Sequence, residues 1–269
     1  MTVFQLYKRV ERELKIENAS FEARQIVYFV CGLTSTSFLM ESNRIATIDE
    51  TNRAKQAVAR RNEGTPLYYI IGKTEFYSIE LKVTPDTLIP RADSELIVDL
   101  ALDMSRRCEI KKACDLCSGT GAIGIAFAKN STIETDCVEL YDGAYEVLKT
   151  NVEKCKYAHA IKADATEFDL SEYTLITCNP PYISRDEMGD LSKEVLNEPH
   201  TALFADDDGL SFYKKISKNV CPGTYIIFET GYKQGDSVRQ ILVDEGFKDV
   251  KIHLDYNRLQ RAVTGYKPR

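Results

Sequence analysis

No stretch of this sequence approaches the roughly 20 consecutive apolar residues that a membrane-spanning helix requires. The start, Met1-Thr2-Val3-Phe4-Gln5-Leu6-Tyr7-Lys8, lacks a basic segment followed by an apolar block, so no signal peptide is expected and a cytoplasmic location is the default expectation. Tryptophan is absent and histidine occurs only three times. The eight cysteines are scattered, and a chain of 269 residues can bury enough core to fold without disulfides, so free buried thiols are expected. Cys114 and Cys117 form a C-x-x-C, but no second close cysteine pair or histidine pair accompanies them, and no metal is expected. A strongly basic face is also missing. The net charge is −6; the first 72 residues carry ten basic and eight acidic side chains, hence +2, and the remainder carries −8. That balance argues against direct nucleic-acid binding. Nothing in the pattern calls for self-association, and a monomer is expected.

Residues 1–72 read as a small helical domain. Val3, Tyr7, Val10 and Leu14 recur at helical spacing. Ser20 can cap a second helix through Ile26 to Val30, ending near Gly32. Asp49 can start a third, with Ala54, Ala57 and Val58 inward and Gly64 at its stop. The texture changes at Pro66: Ile79, Leu81 and Val83 alternate strictly, and Pro85-Asp86-Thr87 supplies a turn, so residues 73–90 are expected to form a β-hairpin linker. A helix is expected from about Ser94 to Ser105.

From about residue 111 the pattern alternates: strands at Ala113–Leu116, Thr135–Leu140, Ala158–Ala163, Leu175–Cys178, Thr224–Glu229 and Val250–Leu254, with helices at Ala122–Ala128, Ala144–Lys154, Leu210–Ile216 and Gln234–Glu245. Such alternation argues for an α/β fold with a largely parallel, doubly wound sheet over residues 91–269. Residues 183–209 form a long, polar, acidic connection, a place for a substrate-facing segment.

Asp115-Leu116-Cys117-Ser118-Gly119-Thr120-Gly121-Ala122 lies between a strand and a helix. Glycines there allow a sharp turn and close approach to a ligand, and the helix N-terminus presents free N–H groups. A glycine loop alone is weak evidence. Glu139, about 20 positions on at the end of the next strand, strengthens it, because a carboxylate there can accept from both hydroxyls of a ribose. The pairing fits a nucleotide or an S-adenosylmethionine (AdoMet) site built from Cys117, Ser118, Gly119, Thr120, Gly121 and Glu139. Asp164, followed by Ala165, can accept from an exocyclic amine of adenine, although aspartate at a strand end is as often a turn former.

Asn179-Pro180-Pro181-Tyr182 directly follows the apolar strand Leu175–Cys178. Two prolines fix φ and remove two donors, so the Pro180 carbonyl is rigidly aimed. The Asn179 side-chain oxygen and that carbonyl form two acceptors able to grip both hydrogens of one NH₂ and orient its lone pair. Tyr182 can stack on a flat amide or base. Arg91 can orient a substrate or brace the site wall, Glu229 ends a strand facing the same edge in a supporting role, and Asp206-Asp207-Asp208 reads as a solvated loop rather than a cation site.

With these residues together the chain resembles the release factor glutamine methyltransferases. The resemblance runs nearly end to end: the helical start, Gly64-Thr65-Pro66-Leu67-Tyr68-Tyr69-Ile70-Ile71-Gly72, Leu88-Ile89-Pro90-Arg91, the glycine loop, Glu139 with Asn151, Asn179-Pro180-Pro181-Tyr182-Ile183, Glu198-Pro199, Asp208-Gly209-Leu210, and Glu229-Thr230-Gly231 with Gln234. It implies a Rossmann-like class I AdoMet-dependent methyltransferase domain after a substrate-recognising helical domain. It further implies N5-methylation of the glutamine in the Gly-Gly-Gln motif of peptide chain release factors, in translation termination, with S-adenosylhomocysteine as product. By carry-over Cys117 to Gly121, Glu139, Asp164, Ala165 and Asn179 hold AdoMet, while Asn179, Pro180, Pro181 and Tyr182, with Arg91, hold the glutamine. The family's loop begins with Gly where this chain has Cys117, and its acid is Asp where this chain has Glu139; both departures bear on AdoMet affinity. The competing readings are an N6-adenine DNA methyltransferase, a ribosomal-protein glutamine methyltransferase and a non-catalytic AdoMet-binding module. The first is disfavoured by the acidic balance, the last by the intact tetrapeptide.

Overall fold

The computed structural model describes residues 1–269, apart from the side chains of Arg185, Met188 and Asp190. The chain divides into two units: residues 1–72 with 192–197, and residues 73–191 with 198–269.

The first unit holds α1 (Val3–Glu13), α2 (Ala19–Cys31), α3 (Ser35–Glu41), α4 (Ile48–Asn62) and α5 (Leu67–Ile71). Three of these begin in capping boxes, Thr2 with Gln5, Thr34 with Ser37 and Thr47 with Glu50, where each side chain satisfies an N–H that the helix cannot. Two sequence expectations shift. The cap of α2 is Asn18 rather than Ser20, whose hydroxyl instead meets the Tyr7 hydroxyl at 3.0 Å. The cap of α4 is Thr47 rather than Asp49, which falls in the first turn. Leu6, Tyr7 and Val10 of α1, Ile26 and Val27 of α2, and Ala54 and Val58 of α4 form the core. Arg61 of α4 is buried and ion-paired to Glu22 of α2 and to Glu194, which sits on a one-turn helix at Lys193–Leu196. Asn197 donates to the Gly64 carbonyl at 3.1 Å, so a short piece of the long connection belongs to the helical unit.

The second unit opens with the hairpin β1 (Lys73–Phe76) and β2 (Ile79–Lys82), paired Phe76 to Ile79 through Lys73 to Lys82. Phe76, Ile79 and Leu81 enter the same core as α6 (Glu95–Arg107) and α7 (Ala122–Ser131). The strands β3 (Ala113–Leu116), β4 (Thr135–Glu139), β5 (Ala158–Lys162), β6 (Leu175–Cys178), β7 (Thr224–Glu229), β8 (Lys248–Leu254) and β9 (Gln260–Lys267) form one sheet in the order β5-β4-β3-β6-β7-β9-β8. The first five are parallel, and β9 and β8 are antiparallel additions. The unit also holds helices α8 (Asp142–Val152), α9 (Ser211–Asn219) and α10 (Gly235–Asp244) and a one-turn helix at His200–Leu203. Strand β9, the longest in the sheet, has no counterpart in the sequence reading. Its alternation is broken by Gly265, and it inserts between β7 and β8 by long-range pairing.

Winding outward from β3 proceeds first to β4 and then, in the other direction, to β6. The strand order reverses between β3 and β6, and in open α/β sheets the crevice at the carboxyl ends of such a pair is the ligand site. No helix among the described residues is long and apolar enough to cross a membrane.

Candidate active site

The glycine loop leaves β3 at this crevice. Cys117 (φ 55°), Gly119 (φ 55°) and Gly121 (φ 82°) all take left-handed conformations before α7 begins. At Gly121 the conformation is matched by a packing need, because a Cβ there would collide with Leu148 and Ile125. Cys117 is different: a residue with a Cβ occupies a left-handed position, which costs of order 1–3 kcal/mol unless its surroundings hold it. Its thiol lies against that of Cys178 at the end of β6, and burial pushes the Cys178 thiol well above the usual range.

Two carboxylates shape the loop. Asp115 is fully buried, accepts from the Ser118 hydroxyl, from the Thr177 hydroxyl at 2.7 Å and from Gly124 N at 3.2 Å, and joins the loop to β6 and α7. Burial pushes its carboxyl up to about 6 despite those donors. Glu139, at the end of β4, accepts from Gly119 N at 2.9 Å with Oε2 and from Leu140 N and Tyr141 N at 2.9 and 3.0 Å with Oε1. A carboxylate offers about four lone-pair positions, so three are taken by main chain and about one is left toward a ligand.

A cleft with an empty volume of about 980 Å³, part of it open to solvent, lies at the β3/β6 edge, wholly within the second unit. Of the residues expected at a cofactor site, Cys117, Ser118, Gly119, Thr120, Glu139, Asp164, Ala165 and Asn179 line it; Gly121 lies behind the wall. Asp164 both lines the cleft and forms a turn, its Oδ1 accepting the Thr166 N–H and hydroxyl at 2.8 Å each. Of the expected substrate residues, Asn179, Pro181 and Arg91 are on the wall, whereas Pro180 and Tyr182 are not. The Asn179 side-chain amide is not hydrogen-bonded to any described residue. Arg91 is ion-paired to Glu198, a buried carboxylate that also accepts from Ile89 N at 3.1 Å, so the Leu88–Arg91 wall is held from behind.

Tyr182 packs beside Gly231, and burial together with the Glu229 charge raises its phenol well above the ordinary value. Glu229, buried at the end of β7, has an Oε2 with no hydrogen-bond partner. Burial pushes its carboxyl up to about 7; a hydrogen bond from Ser94 and the charges of Arg261 and Arg91 act downward, and that of Asp93 upward.

Sequence reasoning missed several wall residues. Asp115 was visible as the first residue of the loop motif but carries no side-chain signal of its own. Leu140, Tyr141 and Phe212 are ordinary apolar residues that only the fold brings to the cleft. Leu140 and Tyr141 are about half exposed at its rim. An apolar wall with a few convergent polar groups, Glu139, Asp164, Ser118 and Asn179, suits a ligand with a flat base, a diol and an amino-acid tail, and so fits AdoMet.

The seven-stranded mixed sheet, with antiparallel β9 inserted between β7 and β8, together with the glycine loop, the second-strand acid and the cleft at the β3/β6 reversal, is the architecture of a Rossmann-like class I AdoMet-dependent methyltransferase domain. Comparison with known proteins agrees and goes further. Residues 5–72 match the model of the PrmC N-terminal domain, and residues 94–208 that of the methyltransferase small domain. The chain is 33% identical over 248 residues to the release factor glutamine methyltransferase of Clostridium acetobutylicum, covering 84% of this chain and 87% of that one. It is 36% identical over 217 residues to that of Vibrio cholerae, covering 77% and 76%. The chain belongs to the release factor glutamine methyltransferase family. Among solved structures, the hMettl16 catalytic domain, in complex with a MAT2A 3′UTR hairpin, matches with a TM-score of 0.61 at 16% identity over 82% of each chain, a likeness of fold.

Proposed function

We propose that this methyltransferase transfers the methyl group of AdoMet to the side-chain amide nitrogen (N5) of the glutamine in the Gly-Gly-Gln motif of peptide chain release factors, leaving S-adenosylhomocysteine. The observation that carries this reading is the Asn179 amide, uncommitted on the cleft wall at the end of β6, beside the loop that Glu139 anchors. The family names support the substrate. In this reading residues 1–72 recognise the release factor, residues 73–90 link, and residues 91–269 carry the reaction.

AdoMet, when bound, supplies a methyl group made electrophilic by the positive sulfonium. Cys117, Ser118, Gly119 and Thr120 would hold its amino-acid part, Glu139 its ribose, and Asp164 and Ala165 its base. For Glu139 to accept from both hydroxyls, one of its three main-chain bonds must give way, because about one acceptor position is open.

The Asn179 side-chain oxygen and the Pro180 carbonyl accept the two N–H groups of the glutamine amide. Pro180 and Pro181 fix φ on both sides of the Pro180 carbonyl, so the main-chain acceptor of the pair is restricted before substrate arrives. Holding both hydrogens in the acceptor plane presents the nitrogen lone pair for attack. A C–S bond breaks, an N–C bond forms, and the nitrogen's proton, made acidic by alkylation, passes to water without a dedicated base. Tyr182 and Arg91 brace the amide and its peptide. The test is mass spectrometry of purified release factor incubated with enzyme and AdoMet. A gain of one methyl on the Gly-Gly-Gln glutamine is expected; an unmodified glutamine would end the reading.

A further inference from the structure

We infer that Gln234 is a positioning residue for the methyl transfer: its side-chain amide clasps both ends of the long connection that follows Asn179-Pro180-Pro181-Tyr182 and thereby fixes the tetrapeptide. The inference rests on the proposed transfer and adds a residue that does not line the cleft.

The geometry is specific. Gln234 Nε2 donates to the Tyr182 carbonyl at 2.8 Å and to the Asp208 carbonyl at 3.3 Å. Its Oε1 accepts from Gly231 N at 3.1 Å. The three partners are main-chain groups, two acceptors and one donor, so the amide can sit in only one orientation. Tyr182 is the residue from which the 183–209 connection departs, and Asp208 is where it returns. Beside this neck, Ile183 N donates to the Leu203 carbonyl at 2.9 Å and Ala205 N to the Ile183 carbonyl at 3.1 Å, closing the segment as a large loop with its ends together.

The surroundings of the clasp are close-packed. Asp207, Asp208 and Gly209 have φ of 59°, 53° and 80°, three successive left-handed residues in the returning strand of the neck. A Cβ at Gly209 would collide with the Tyr182 carbonyl and the Gln234 amide, and one at Gly231 would stand 2.9 Å from Gln234 Oε1. Strain of this kind persists where neighbouring bonds over-determine it. What the clasp determines is the exit direction of the chain two residues after Pro180. The prolines hold φ at 180 and 181, but neither restrains ψ of Tyr182 nor the carbonyl beyond it. Without a donor at that carbonyl, the Tyr182–Ile183 peptide is held on one side only, by the Ile183 N–H on the Leu203 carbonyl, and the alignment of the two amide acceptors loosens.

Two variants separate this role from simple structural support. Gln234→Ala removes all three bonds. Gln234→Glu keeps the side-chain volume and an acceptor for Gly231 N, but places a carboxylate oxygen where the donor to Tyr182 stood. Each is assayed with AdoMet and release factor, alongside AdoMet affinity, thermal midpoint and hydrogen exchange at the Gly231 amide. Both variants are expected to lower kcat by 10–100-fold, on the order seen when reacting groups are misplaced by about an ångström, with AdoMet affinity and release-factor KM within threefold of wild type. Gly231 exchange is expected to speed up in the alanine variant and to stay slow in the glutamate variant. Wild-type kcat in the glutamate variant would overturn the inference, as would loss of AdoMet affinity in parallel with kcat, or unchanged Gly231 exchange in the alanine variant. If the wild-type enzyme itself leaves the release factor unmethylated, the proposed function fails instead, and the exchange measurements still decide whether the clasp exists.

Discussion

Glu139 accepts the Gly119 N–H at 2.9 Å, so the acid that ends β4 and the glycine loop that leaves β3 are one hydrogen-bonded structure before any ligand arrives. The same carboxylate terminates β4 by holding Leu140 N and Tyr141 N. One side chain therefore shapes the loop and the rim, and in the proposed reading its remaining acceptor position is the one offered to a ribose.

Glu139→Ala leaves three N–H groups without their acceptor. Each lost charge-assisted bond is worth about 1.5–3 kcal/mol at most, with water replacing part of it. AdoMet affinity is expected to fall at least tenfold and the unfolding free energy by about 1–3 kcal/mol, measured by calorimetric titration and urea unfolding. Wild-type affinity would show that the carboxylate faces main chain only.

Asn179→Ala removes one of the two acceptors proposed to hold the glutamine amide. Loss of a single preorganised group of this kind lowers turnover by about 10²–10³-fold. AdoMet affinity is expected to change little, as read by equilibrium dialysis beside single-turnover methylation. A variant with full turnover would remove Asn179 from the mechanism.

Cys117 holds a left-handed φ of 55° with a Cβ present. Cys117→Gly relieves that strain and is expected to leave stability unchanged or raise it by about 1 kcal/mol, with AdoMet bound no more weakly. Cys117→Val puts a β-branched residue in the same conformation and is expected to destabilise by about 1–3 kcal/mol. Urea midpoints of the two variants check the order.

Glu229 carries a pH signature. Its carboxyl is pushed from 4.5 up to about 7 on folding. Below pH 4.5 the group is protonated in both states and its favourable contribution is complete. As pH rises through about 7 the folded state is forced to bury the charge and that contribution is lost. At about 1.4 kcal/mol per pH unit, the window amounts to on the order of 3 kcal/mol. Glu229→Gln cannot ionise, so its stability relative to wild type is expected to rise between pH 4.5 and 7.5, whatever constant offset the amide introduces. A pH-independent difference in unfolding free energy would place Glu229 in an ordinary carboxylate environment.

The residue order alone determined much of the molecule. The limits of β3, β6 and β7 follow from short apolar runs, and the loop and the tetrapeptide stand immediately after two of those runs. Their chemistry is local: φ preferences, missing donors and strand ends act over a few residues. Tertiary structure decided the rest. Insertion of β9 between β7 and β8 is a choice of partner among distant strands, and no periodicity within Gln260–Lys267 encodes it. Glu194 joins the helical unit by pairing with buried Arg61, a partnership visible only once α4 is packed. Asp115, Glu198 and Gln234 act through main-chain or hydroxyl groups brought close by the fold, some of them more than 50 residues away in the chain. A hydrogen bond across such a distance depends on where the sheet places two loops, and that placement is a property of the packed core, not of either segment.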